Sequence, residues 1–108
     1  MQGLTIRDTE IHSFSGDAIQ LDPARAEPGW TDLRIEGCRL WSGPLSSAEG
    51  GFAAGVNPAE NALDTKTSNE VIEPAEVYIQ DTVAWGFRGG LIENMAAFNL
   101  KELSLIHI

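Results

Sequence analysis

The chain is poor in the residues that usually announce a chemistry. It has 108 residues with one cysteine, two histidines and one tyrosine. A single thiol, Cys38, forbids an internal disulfide and cannot by itself build a thiolate metal site. Basic residues are scarce, 7 Lys and Arg against 16 Asp and Glu, for a net charge of −9. That balance argues against nucleic acid and against an anionic membrane as partner. No run approaches the ~20 consecutive apolar residues that span a bilayer. The start, Met1-Gln2-Gly3-Leu4, passes directly into strand-like sequence with no secretory leader. GxGxxG, P-loop, HExxH and G-x-S-x-G patterns are missing, and so is an Asn-x-Ser/Thr sequon. Gly86-Phe87-Arg88-Gly89-Gly90 is a turn, too short to cradle a phosphate. No window of 11 to 18 residues carries a convincing helical stripe.

What is present is a repeat. Three segments superimpose: Leu4 to His12, Leu33 to Trp41 and Val77 to Trp85. Each has apolar residues at its first, third and eighth positions, a small or turn-prone pair at the fifth and sixth, and an aromatic residue or His at the ninth. A second block follows each of them: Ala18 to Asp22, Ala62 to Lys66 and Ala97 to Lys101. Ile6, Ile35 and Ile79 lie 29 and 44 residues apart, whereas Ile19, Leu63 and Phe98 lie 44 and 35 apart. The order of blocks is kept while the intervals vary, as insertions between stacked strands produce. Within the blocks, Leu4 with Ile6, Leu33 with Ile35 and Val77 with Ile79 alternate with period two, the mark of a strand. Asp8-Thr9 and Asp81-Thr82 supply bends between strands.

Parallel strands need crossovers of about a dozen residues or more. A solenoid provides them by wrapping the chain once per turn. The expected fold is therefore all-β, a right-handed parallel β-helix of about three coils with long loops. A β-sandwich is the alternative, and it does not explain why both blocks recur in the same order. A helix over Asn94 to Lys101 also stays open. Two connections are long: 23–31, with two prolines and Trp30, and 42–59, rich in Gly and Ala. The last six residues, Leu103 to Ile108, resemble the translation of a sequencing-library adapter end. The expected organisation is thus a partial β-helix domain over 1–102 and a non-native tail over 103–108.

The segments Ser15 to Pro23, Asp32 to Cys38 and Glu60 to Lys66 resemble the pectate-lyase-like right-handed β-helix proteins, with a likeness that covers nearly all of residues 4 to 102. The resemblance implies the fold and, more loosely, a secreted, carbohydrate-active protein: a polysaccharide lyase, a glycosidase, an epimerase or a binding domain. It places the full-length protein in the extracellular space or the periplasm. Members of the family have many more coils, which implies that this chain is an internal slice.

Alternation in the second block expects Ile19, Leu63 and Phe98 to face inward. It expects Gln20, Asp64 and Asn99 to form an outward column, with Asp22, Lys66 and Lys101 in the next. Such a face could bind an acidic polysaccharide. β-Elimination on a polyuronate needs a base for the proton α to a carboxylate and a cation to neutralise that carboxylate. Lys66 and Lys101, stacked as adjacent like charges, are the candidates for both roles. Asp22, Asp64 and Glu60 offer hard oxygen ligands for Ca²⁺, an ion that recurs in the resembled lyases. Arg25 and Arg88 could grip a carboxylate bidentately, and Trp30 could stack on a sugar ring. The competing reading is a solvated face of Asn, Asp, Gln and Lys on a non-catalytic surface or adhesion module, with ion pairs worth about 0–1 kcal/mol each. His12, in column with Trp41 and Trp85, is expected to stack rather than to ligate. Cys38, in the slot of Thr9 and Thr82, is expected to be a buried, inert thiol. Open coil ends are expected to favour self-association.

Overall fold

A computed structural model of the chain describes residues 3–21, 32–46, 48, 53–65, 75–87, 96–100 and 104–107. Every element among them is a strand. In chain order these are β1 (Gly3–Arg7), β2 (Glu10–Ile11), β3 (Ile19–Gln20), β4 (Asp32–Glu36), β5 (Arg39–Trp41), β6 (Asn61–Asp64), β7 (Ala75–Gln80), β8 (Val83–Trp85), β9 (Ala96–Asn99) and β10 (Ser104–His107). They form three sheets. The first has the order β1-β4-β7-β10, the second β2-β5-β8 and the third β3-β6-β9, and neighbouring strands are parallel throughout. Each sheet takes one strand from each repeat in turn, the stacking of a solenoid.

The register is that of the sequence repeat. Ile6 pairs with Ile35 and Ile35 with Ile79, and Leu33 lies between Leu4 and Val77. Leu40 lies between Ile11 and Ala84. In the third sheet Leu63 lies between Ile19 and Phe98. The segment for which a helix stayed open is strand β9, paired in register with β6. Ser104–His107, expected to be a tail, forms β10 beside β7, with Ile106 opposite Val77; that pairing is a matter of conformation and leaves the origin of the segment apart.

The core is densest where a strand has a neighbour on both sides, throughout the middle coil and at β7, where Val77 is also 0% exposed. Leu33, Ile35, Leu40 and Leu63 are each 0% exposed, whereas Leu4, Ile6 and Ile11 of the first coil are half-buried against them. Full burial of such a side chain stabilises by about 1.5–3 kcal/mol.

The turn between the first and second sheets shows why the fifth and sixth repeat positions are small. Asp8, Gly37 and Asp81 occupy the left-handed region, with φ of 50°, 62° and 49°. Asp tolerates that region better than most residues because its short polar side chain bonds locally. The ladder does not break there: Asp8 N–H donates to the Glu36 carbonyl and Gly37 N–H to that of Gln80. Arg39 N–H then reaches the Thr9 carbonyl, and Val83 N–H the Cys38 carbonyl.

The sixth position follows one rule in all three coils. Thr9 Oγ1 donates to the carbonyl of Arg7 at 2.7 Å, Thr82 Oγ1 to that of Gln80 at 2.9 Å, and Cys38 Sγ to that of Glu36 at 3.4 Å. Cys38 is 1% exposed and replaces a hydroxyl donor by a weaker thiol. Cys38→Thr should therefore keep the bond and leave stability within about 1 kcal/mol of the parent. A thermal melt checks this, and a loss above about 2 kcal/mol would mean that the slot discriminates by volume rather than by hydrogen bonding.

Side chains also tie coils together where backbone cannot. Asn61, 3% exposed, donates through Nδ2 to Asp17 Oδ1 in the coil before it, at 2.7 Å. Its Oδ1 accepts from the Ala96 N–H in the coil after it, at 3.0 Å. One buried amide thereby spans three coils with donor and acceptor both used. The chain leaves the middle coil at Gly43 for its long loop, and Phe14 and Phe87 meet between the first and third coils at 6.1 Å.

Candidate functional site

In the third sheet, Gln20 pairs with Asp64 and Asp64 with Asn99, so the expected column exists in register. Its middle member does not face solvent. All four residues of β6 are buried, Asp64 at 2% and Ala62 at 0%. Gln20 remains exposed and Asn99 half-buried. A carboxylate at that depth is kept only when it is partnered. Period-two alternation assumes one covered face, and here both faces of β6 are covered.

Asp22, Arg25, Trp30, Lys66, Arg88 and Lys101 lie outside the described residues. Of the expected Ca²⁺ ligands this leaves Asp64, buried, and Glu60, half-buried. Among the described residues no three His, Cys, Asp or Glu side chains come close enough to hold a metal ion, and Asp22, the third expected ligand, lies outside them.

The open face with a mixed set of side chains is the outward side of the first sheet. Strand alternation turns Leu33, Ile35, Val77 and Ile79 into the core, and it turns Asp32, Arg34, Glu36, Glu76 and Tyr78 outward. Parallel register stacks these into rows. Asp32 lies beside Glu76 and Arg34 beside Tyr78, with His107 beyond Tyr78. The Arg34 guanidinium sits 4.1 Å from the centre of the Tyr78 ring, a cation–π contact, and His107 stacks on Tyr78 at 4.5 Å. Arg34 Nε is 3.9 Å from Asp32 Oδ2, and both side chains stay about two-fifths exposed.

The Tyr78 hydroxyl donates to Glu76, which also lies 3.4 Å from His107 Nε2. That hydrogen bond is the main reason the Tyr78 pKa is raised above the ordinary phenol value; desolvation and the Glu76 charge add to it, and Arg34 opposes it. Tyr78 is therefore a donor at neutral pH and not a base. Asp32 Oδ1 is shielded from solvent and has no hydrogen-bond partner among the described residues. The row offers cationic, anionic and hydroxyl groups one strand spacing apart, which suits hydroxylated, charged ligands.

None of these residues was singled out by the sequence reading. The signal was available for Arg34 and Tyr78, which share the second, outward position of the first block in the second and third repeats.

A third feature lies on the second sheet. His12 stacks on Trp41 at 4.4 Å and 6°, and Trp41 on Trp85 at 4.9 Å and 10°. The stacking expected for His12 is thus what the structure shows, and Cys38 is the buried thiol expected of it. Comparison with known proteins finds no matching family model, no matching curated protein and no matching solved structure.

Proposed function

We propose that the chain is part of a right-handed parallel β-helix that binds an acidic polysaccharide along an outward strand face, as a piece of a secreted carbohydrate-active protein of the lyase or glycosidase type. The right hand follows from the strong general preference of parallel crossovers for that sense. The observation that carries the reading is the registered ladder of outward side chains on the first sheet, where Asp32 faces Glu76 and Arg34 faces Tyr78. Rungs repeat about every 4.8 Å, close to the length of one sugar unit along a polymer. Successive units would meet successive rungs. Arg34, braced on Tyr78, supplies planar donors to a uronate carboxylate. Asp32 and Glu76 accept hydrogen bonds from sugar hydroxyls.

The chain's net charge of −9 opposes an anionic ligand at long range. That field is screened beyond about 8–10 Å at ordinary ionic strength, and a direct contact to Arg34 is not. Lys66 and Lys101 remain the candidates for base and cation in an elimination step.

Calorimetric titration with oligogalacturonate, alginate oligomers and a neutral cello-oligomer tests the proposal. The acidic oligomers should bind more tightly than the neutral one. R34M keeps the stem and removes the charge, and should weaken acidic binding at least tenfold with little change in melting temperature. K66M/K101M reports on the face expected from the sequence, and a larger loss there moves the site to those lysines. Equal affinities for the parent and both variants, or no binding by the parent, would overturn the proposal.

A second reading has its own observation. Arg7 pairs with Glu36 at 2.9 Å and Arg39 with Glu10 at 3.2 Å, each across 29 residues of sequence, tying the first coil to the second. Outward charges used this way suit a non-catalytic structural module, and an absence of any oligosaccharide binding favours it.

A further inference from the structure

On the outward face of the first sheet, β1, β4 and β7 form three successive rungs about 4.8 Å apart. The middle column of that face runs Thr5, Arg34, Tyr78, and the column beside it sets Asp32 against Glu76. β4 and β7 each have a strand on both sides, so the pattern on them is independent of any further coil.

Charge is uneven along these rungs. The β4 rung carries a cation in the middle column. Arg34 turns Nε toward Asp32 at 3.9 Å, and a guanidinium has two further nitrogens with which to fork a carboxylate. The Tyr78 ring braces that guanidinium at 4.1 Å. The β7 rung is different: the Tyr78 hydroxyl donates to Glu76, so this pair offers an acceptor and no positive charge. His107 lies 3.4 Å from Glu76 and offsets its charge only when protonated. On the β1 rung Thr5 sets a neutral hydroxyl beside Arg34. Arg7, further along the same strand, is 2.9 Å from Glu36, and its charge is answered within the protein. A polymer laid across the strands thus meets one rung that seeks a carboxylate between two that do not. A second carboxylate one unit further on would fall beside Glu76, a like charge well inside the ~8–10 Å over which such charges act. A hydroxyl or an amide N–H at that place finds an acceptor.

We propose that the polysaccharide favoured by this face alternates a uronate with an uncharged sugar, and that Glu76 is the residue that discriminates against a uronate in every unit. The inference rests on the reading of this face as a polysaccharide site and adds to it the spacing of charge along the polymer. Discrimination of this kind combines an attraction at one rung with a repulsion at the next. Arg34 still favours a polymer with carboxylates over a neutral one, and Glu76 sets how closely those carboxylates follow one another.

Calorimetric titration of the 108-residue chain at about pH 8, where imidazole is generally uncharged, tests it. The probes are oligogalacturonate and an equally long oligomer that alternates glucuronate with N-acetylglucosamine. The alternating oligomer is expected to bind about fivefold more tightly, although it carries half as many carboxylates. E76Q removes the like charge and keeps an acceptor for the Tyr78 hydroxyl. It should tighten oligogalacturonate about fivefold and leave the alternating oligomer within about twofold, which separates charge spacing from sugar identity. Its circular dichroism melt shows whether the variant folds, and the comparison of the two oligomers on the parent needs no variant. A parent that binds oligogalacturonate as tightly as the alternating oligomer overturns this inference and leaves the polysaccharide reading in place. So does a folded E76Q variant with an unchanged preference. No binding of either oligomer by the parent overturns both.

Discussion

Ile35→Asp is expected to abolish the cooperative melt of the protein. Ile35 is 0% exposed and lies in register between Ile6 and Ile79, the central rung of the first sheet. The substitution removes a side chain whose burial is worth about 1.5–3 kcal/mol. It also sets a carboxylate where no cation faces it, since the residues packed around this position are Leu33, Leu40, Leu63 and Val77. An isolated charge in such a place costs several kcal/mol even when it escapes by taking up a proton. The sum is on the order of 5 kcal/mol, as large as the whole stability of many domains of this size. Ile35→Val, which deletes one methylene, should cost only about 0.5–1.5 kcal/mol and serves as the control. Urea unfolding of the three proteins decides the matter. An Asp variant within about 1 kcal/mol of the parent would mean that the position is not in the core and that the register is misassigned.

Gly86→Ala is expected to have the next largest effect, for a reason of backbone rather than of core volume. Gly86 has φ of 85°, a conformation that an L side chain resists. A Cβ at this position would lie 2.3 Å from the Ser42 carbonyl oxygen and 3.2 Å from its carbon, both main-chain atoms that cannot swing aside. The residue is also a junction. Its carbonyl accepts the Ser42 hydroxyl at 2.5 Å and the Asn57 amide at 3.2 Å. Asn57 Oδ1 accepts in turn from the Ala59 N–H at 3.1 Å. Moving Gly86 away from Ser42 to make room for a methyl group therefore loosens the exit of β5, the return of the long loop and the end of β8 together. Strain and lost hydrogen bonds add to about 3 kcal/mol, a fall in melting temperature of about 10 °C or more. Gly43→Ala is the matched control, since a Cβ there meets nothing within 4 Å. It should leave stability within about 1 kcal/mol of the parent. Similar melts for the two alanine variants would refute the close approach at Gly86.

The strand ladder was legible before any coordinates, and the reason is physical. Period-two apolar residues must face one way, and three blocks with the same order and the same apolar positions can satisfy one another only by stacking in register. Ile6 with Ile35 and Ile79, Ile19 with Leu63 and Phe98, and His12 with Trp41 and Trp85 all follow from that requirement. The slot shared by Thr9, Cys38 and Thr82 was legible for the same reason, since each follows a left-handed turn that only small or Asp-like residues enter. Local pattern was weaker at 96–99, where four residues suit a short helix or a strand equally. There the neighbour, β6, selected the strand.

What the pattern could not show is which faces are covered and which residues meet across coils. Asp64 reads as an outward polar position, and it is 2% exposed because β6, unlike β4, is covered on both faces. Arg34 and Tyr78 are 44 residues apart, and nothing local in either announces the other. Their contact depends on the length of the intervening loops and on the register that those loops allow. Phe14 meets Phe87 across 73 residues of sequence, a contact that exists only once the coils are stacked. The close approach of Gly86 to Ser42 exists only once the two coils are stacked. Inward order is set by the alternation of residues along a strand. Outward neighbours are set by where each coil ends relative to the next, which tertiary structure alone decides.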